Sequence, residues 1–211
     1  MLVEKNKVMN LTGITEYEEV IQKHFLDSLS LIRVIPDIAS QKLTVIDLGT
    51  GAGFPGIPLK IAFSGIRDYP DGFSEQKNPV PSGSDRMHFG LKKVSAVHGR
   101  AEEMASNATH RQQYDLCVSR AVSNLAVLTE YCLPFVKKGG LFVSYKSADS
   151  DAEIQEGKKA ISILGGKLTS VDKFQLPDSD LRRALVCIKK VKDTPKKYPR
   201  KAGTPAKLPL K

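Results

Sequence analysis

Apolar residues Ile21, Phe25, Leu29 and Ile32 recur at helical spacing and predict an amphipathic helix over 16–32. Thr15 is placed to cap its start, with Glu18 three residues on as in a capping box. A different signature follows at 43–48, LTVIDL, a β-branched run that ends in an acid and then glycines. The apolar stretch 57–63 after it suits a packed helix, so the order is strand, glycine turn, helix. Runs at 94–97, 114–118 and 141–145 read as strands, separated by helical stretches at 102–108 and 124–136. Strands that alternate with helices predict an α/β fold with a mostly parallel sheet covered on both faces, because parallel neighbours need a crossover. A further helix at 151–164 ends in Gly165 and Gly166, and strands at 167–175 and 183–191 form an antiparallel pair at the carboxyl end.

One stretch interrupts the alternation. Between residues 64 and 90 only six of 27 residues are hydrophobic, while Gly, Pro and Ser supply eleven. A second strand and helix belong there, yet the composition reads as a loop too long for a compact domain. Back-translation offers a cause, a compensated frameshift. One set of codons for 67–79, read one base later, gives G-I-T-L-M-D-S-L-N-K-R-I, which restores a strand, an acid and a basic helix start. On this reading 64–90 lacks a regular strand that ends in an acid.

The chain of 211 residues is 41% hydrophobic and 26% charged, which suits a globular protein rather than a disordered one. No apolar run reaches the roughly 18 residues of a membrane helix, and MLVEKNKVMN lacks the core of a signal peptide. A cytoplasmic monomer is expected. Cys117, Cys132 and Cys187 each sit among apolar neighbours without metal-like spacing and read as reduced core thiols, and no metal site is expected. The net charge of +9 is concentrated at one end. Residues 189–211 hold nine Lys and Arg against one acid, Asp193. With Pro195, Pro199, Pro205 and Pro209 among them, the basic tail 192–211 is expected to stay extended, either along a nucleic-acid backbone or as a solubilising appendage. It follows an amino-terminal helical segment, 1–35, and a main domain, 36–191.

The glycines at 49, 51 and 53 let the chain turn sharply at the end of the first strand and bring backbone close to a ligand. Phe54 stands where a dinucleotide fingerprint has its last glycine, and no G-K-[ST] follows, so a nicotinamide or nucleoside-triphosphate site fits poorly and an S-adenosylmethionine site better. At this level of detail the chain resembles a known family. N-L-T-G-I-T (10–15), K-H-F-L-D-S (23–28), I-D-L-G-T-G-A-G-F-P-G-I-P-L-K-I (46–61), H-G-R-A-E-E (98–103), S-R-A-V (119–122) and K-K-Y-P-R-K-A-G-T-P (196–205) are similar to the glucose-inhibited division protein B family, the small-subunit ribosomal RNA methyltransferases G. The resemblance spans nearly the whole chain except 64–90, and the chain starts within what resembles the end of an earlier family helix.

The resemblance implies a Rossmann-like class I methyltransferase that moves a methyl group from S-adenosylmethionine to N7 of one guanine in 16S ribosomal RNA, free or in the small ribosomal subunit. It places the cofactor against Gly49 and Phe54, against Ala101 and Glu102, and against Arg120. Asp47 and the turn glycines, Gly51 among them, would face its methionine end, and Glu102 would reach the adenine through its carboxylate or a neighbouring amide. Arg120 ends a strand at the ligand edge of the sheet; the bland alternative is a solvated arginine. His24 and Asp27, three apart, either position cofactor or RNA or form a surface hydrogen-bonding pair. Lys146, Arg182 beside Arg183, and tail residues Lys196, Lys197, Arg200 and Lys201 are candidate phosphate contacts, with solvation as their alternative. Guanine N7 already carries an exposed lone pair, so the reaction demands no general base and no catalytic residue is assigned. The competing function is an RNA-binding protein whose cofactor site is defective through 64–90, unless Asp68 or Asp71 replaces the missing ribose acid.

Overall fold

A computed structural model of the chain describes residues 16–68, 73–74, 97–120 and 123–210. Thr15 and most of 64–90 lie outside them. Helix α1 (17–33) starts as an α-helix at Tyr17–Val20, widens to π-helix over Ile21–Leu26, and closes through Asp27–Leu29 and a 3-10 turn at Ser30–Arg33. It is followed by β1 (Thr44–Asp47), α2 (Gly56–Ala62), β2 (Arg67–Asp68), β3 (Phe73–Ser74), β4 (Val97–His98), α3 (Ala101–Met104) and β5 (Tyr114–Arg120). Then come α4 (Leu125–Cys132) with a 3-10 turn at Leu133–Phe135, β6 (Val136–Ser147), α5 (Asp151–Ile163), β7 (Gly166–Gln175), β8 (Arg182–Lys190) and α6 (Thr204–Lys207).

The main sheet has the order β2-β1-β5-β6-β8-β7, and β3 pairs with β4 in a separate two-stranded sheet. The pairs β1–β2, β1–β5 and β5–β6 are parallel, whereas β6–β8 and β7–β8 are antiparallel. This is the α/β architecture expected from the alternation, with the antiparallel pair at the carboxyl end. Strands β1, β5, β6 and β8 feed two cores by period-two alternation. Ile46, Cys117, Phe142, Val186 and Ile188 join the apolar faces of α3, α4 and α5, while Val45, Leu116, Val118, Val143 and Leu185 pack under α1 and α2. All three cysteines are buried and free.

Three expectations are corrected. The buried face of α1 is not the stripe of Ile21, Phe25, Leu29 and Ile32: Ile21 and Ile32 are exposed, and Val20, Asp27, Ser28 and Leu31 turn inward. The wide π-helical turn displaces the 3.6-residue stripe, and two arginines hold Asp27 inside. Secondly, Arg67–Asp68 pairs in parallel with Thr44 and Val45, so 64–90 does contain a short strand that ends in an acid. Thirdly, the tail is not extended. Every residue of α4 is buried, including Glu130, so the outer side of this helix needs a cover. The chain supplies it as a strap, 194–210, with Tyr198 packed into the adjacent core and Leu210 against it.

Candidate methyl-donor site

β1 delivers Asp47 to the mouth of the glycine turn, where Gly49 and Gly51 take left-handed φ values of 72° and 57°. The Asp47 Oδ2 accepts the amide of Gly56 at 2.7 Å, so the first residue of α2 is tied back to β1. A β-carbon at Gly56 would lie 2.9 Å from that oxygen, so the approach requires glycine. The other oxygen, Oδ1, is buried and accepts no hydrogen bond. Among the described residues only Ser144 and Glu153 also leave a buried side-chain oxygen without one, and that of Glu153 faces the Lys146 ammonium at 2.6 Å. Burial pushes the Asp47 carboxyl up to about 6, against the opposing pull of hydrogen bonding by the Thr50 side chain and the Gly56 amide and of the Arg120 charge. A buried carboxylate oxygen with unused acceptor capacity, at a backbone cradle, suits a ligand that brings a cationic donor.

Helix α1 roofs this turn. The His24 ring stacks on Phe54 with centroids 4.7 Å apart, Phe25 meets Phe54 edge-on at 5.5 Å, and the Arg120 guanidinium lies 5.3 Å from the Phe54 centroid. Arg120 also donates to the Lys23 carbonyl, to His24 Nδ1 at 3.1 Å and to Asp27 Oδ2 at 3.1 Å. Since a guanidinium only donates, His24 Nδ1 accepts and the ring is neutral there. Burial and the nearby Arg120 charge lower the His24 pKa in the same sense. Asp27 receives a second arginine, Arg183 Nε, at 3.2 Å on Oδ1. Its carboxylate is thus shared by β5 and β8, and the Tyr145 hydroxyl of β6 donates to the Ser28 carbonyl next to it at 2.9 Å. His24 and Asp27 are therefore not an exposed surface pair. From β5, Ser119 donates to the Leu48 carbonyl at 2.7 Å and ties the end of β5 to the start of the glycine turn.

Ala101 and Glu102 open α3 just after β4, in a βα turn of the kind that the glycine turn forms after β1. As the first residues of a helix, their amides have no intrahelical acceptor. The Glu102 carboxylate is buried and accepts the Gly203 amide from the strap at 2.8 Å, which commits one of its oxygens. Asp68 stands at the carboxyl end of β2, where the resemblance calls for an acid.

The candidate phosphate contacts divide. Arg182, Lys196, Lys197 and Lys201 are exposed. Lys146 donates to the Ser123 carbonyl and pairs with Glu153, and Arg200 is bound by Glu130 through Nε and Nη2 at 2.9 and 2.6 Å, so both already have protein partners. Sequence reasoning passed over Glu130, Arg111 and the Gly56 amide, and it took Arg183 for a phosphate contact, whereas the structure commits its Nε to Asp27. The buried acid in K-H-F-L-D-S and the acid in the otherwise apolar L-A-V-L-T-E-Y-C were the signals that buried partners had to exist.

A profile of the rRNA small subunit methyltransferase G family matches residues 1–69 and 86–186, and the gap between them falls inside 64–90. The Ribosomal RNA small subunit methyltransferase G of Lachnoclostridium phytofermentans is 52% identical over 211 residues, which is all of this chain and 86% of the relative. Solved structures share the fold at low identity. A chain from the complex between the Haloferax volcanii Trm112 methyltransferase activator and a methyltransferase has a TM-score of 0.63 at 14% identity, over 90% of this chain and 98% of that one. A Burkholderia thailandensis N1-methyltransferase solved with S-adenosylhomocysteine has a TM-score of 0.54 at 12% identity, over 79% of this chain and 77% of that one. With an acid-and-glycine turn roofed by a helix, on a sheet of class I methyltransferase topology, and with this relatedness along its length, the chain belongs to the rRNA small subunit methyltransferase G family.

Proposed function

We propose that the protein transfers the methyl group of S-adenosylmethionine to N7 of a guanine in 16S ribosomal RNA, with its donor site at the glycine turn. The observation that carries the donor assignment is the buried Asp47 oxygen without a hydrogen-bond partner, beside Gly49 and Gly51. An ionised Asp47 would accept from the donor's ammonium, and the turn glycines keep side chains out of its path. The amides of Ala101 and Glu102 suit the adenine acceptors, while the Glu102 carboxylate is engaged by Gly203. Phe54, flanked by His24 and Arg120, gives the site a rigid wall, since all three side chains have packed or bonded partners.

When bound, the cofactor supplies an electrophilic methyl group on a sulfonium. Guanine N7 attacks with its own lone pair, so no residue has to remove a proton. The chain's task is alignment and tolerance of the positive charge that develops on the purine. Exposed Arg182, Lys196, Lys197 and Lys201 are suited to phosphates, whereas Lys146 and Arg200 would have to leave Glu153 and Glu130 to serve there. A ribosomal RNA substrate would bring the protein to the ribosome; among the described residues no helix is long and apolar enough to cross a membrane.

Incubation with methyl-labelled S-adenosylmethionine and small subunits that lack the modification tests this reading. One N7-methylguanine per 16S rRNA is expected after nucleoside digestion. Tight RNA binding with no incorporated label would support the competing reading of a defective site instead.

A further inference from the structure

The strap climbs the molecule and is fastened at three levels. At its start the Arg111 guanidinium donates to the carbonyls of Thr194, Pro195 and Tyr198 at 2.8, 3.3 and 2.9 Å. Midway, Arg200 closes on Glu130, which is fully buried and whose Oε1 also accepts the Arg200 amide at 2.8 Å. At its end Gly203, with φ of 79°, turns its amide onto the Glu102 carboxylate. A β-carbon at Gly203 would meet nothing within 4 Å, so glycine serves the backbone conformation rather than a tight fit. The first two fastenings hold the strap against the body. The third reaches the opening turn of α3, the stretch to which the donor's adenine is assigned above.

We propose that the strap is a positioning element of the donor site: Gly203 holds Glu102, and with it the amides that open α3, so that donor binding and strap docking are coupled. α3 is only four residues long and has too few internal hydrogen bonds to fix its own first turn. Glu102 is buried and needs a donor for its carboxylate; once Gly203 is withdrawn, the carboxylate must move toward water and carry the turn with it. Coupling of this kind is reciprocal, so whatever affinity docking adds to the donor, the donor returns as protection of the strap. The inference rests on the reading that the turn before α3 takes part in donor binding.

The test uses the full-length chain and S-adenosylmethionine. Arg200→Ala loosens the strap without altering any residue assigned to the donor, and Lys207→Ala, at an exposed lysine of α6, is the control. Loss of a charge-assisted hydrogen bond in this range corresponds to an affinity change of about tenfold. Calorimetry should show the dissociation constant rising by about that factor in Arg200→Ala, with cooperative melting retained, and staying unchanged in Lys207→Ala. Saturating donor should also slow tryptic cleavage of the wild-type strap after Lys196, Lys197 and Lys201 by more than it slows global unfolding, whereas a purely structural cover would be protected only as far as the whole fold is stabilised. A folded Arg200→Ala protein with wild-type donor affinity, or strap cleavage that donor slows no more than global unfolding, would overturn the coupling. If Arg200→Ala does not fold, the wild-type cleavage experiment alone decides. Wild-type protein that fails to bind the donor would bring down the donor reading itself, and this inference with it.

Discussion

The glycine-turn edge and the carboxyl-terminal strap both keep carboxylates out of water, but they settle them differently. On the strap side each buried acid has its donor: Glu130 takes Arg200 through side chain and backbone, and Glu102 takes the Gly203 amide. At the glycine turn, Asp27 is equally well provided, by Arg120 and Arg183, yet Asp47 keeps one oxygen unspent. Buried polar groups that already have partners maintain a fold, whereas one left over at a backbone cradle points to something the fold is built to receive. The comparison separates residues that shape the site from the residue that awaits a ligand.

The contrast can be broken first at the turn itself. Gly49→Asp adds a side chain and a second negative charge where backbone has to approach the donor; a loss of affinity of about 100-fold or more is expected by calorimetry, with a melting temperature lower by a few degrees because aspartate is strained at the positive φ of this position. Removing a partner from a buried charge comes next. Asp27→Ala strips Arg120 and Arg183 of their shared carboxylate, and an unfolding free energy lower by about 3 kcal/mol is expected from denaturant titration. Glu130→Ala has a milder counterpart, because Arg200 is partly exposed and can turn to water; about 2 kcal/mol is expected in the same measurement. The smallest effect concerns the exposed strap lysines. Joint replacement of Lys196, Lys197 and Lys201 by Ala should make the slope of log RNA affinity against log salt shallower by roughly two to three, with about 0.7 to 0.9 per phosphate contact. An unchanged slope would leave these lysines as solubilising groups.

The same comparison marks where sequence was readable. Strand periodicity, the acid before the glycines and the alternation of elements placed β1, α2, β5, α5, β7 and β8 to within two residues, because each segment carries its own pattern, while β6 was caught only in its apolar half. The helix expected at 124–136 runs out at Cys132, and Val136 already belongs to β6, because Pro134 tightens the chain into a 3-10 turn before the strand begins. What stayed hidden was set by partners far along the chain. The π-helical turn that carries His24 and Phe25 onto Phe54 has no local signature, and the fate of Asp27 was decided by Arg183, 156 residues away. The strap looked extended because its prolines and charges were weighed locally, whereas Tyr198 and Arg200 answer the needs of a helix wholly buried some 70 residues earlier.

The donor assignment turns on the charge of Asp47. Its folded pKa of about 6 lies above the ordinary 3.8, so between roughly pH 4 and 6 the ligand-free protein takes up a proton on folding and loses stability as pH rises through that window. A ligand that brings an ammonium group to Asp47 favours the ionised form, so its binding releases that proton at acidic pH. The decisive measurement is therefore calorimetric titration of S-adenosylmethionine from pH 5 to 8, on the wild-type chain and on Asp47→Asn. The wild-type association constant should rise by up to about tenfold per unit below pH 6 and level off above it, while Asp47→Asn binds weakly with no such rise. Wild-type affinity that is flat across pH 6, or an Asp47→Asn variant that binds as tightly as wild type, would contradict the assignment of the donor to this turn.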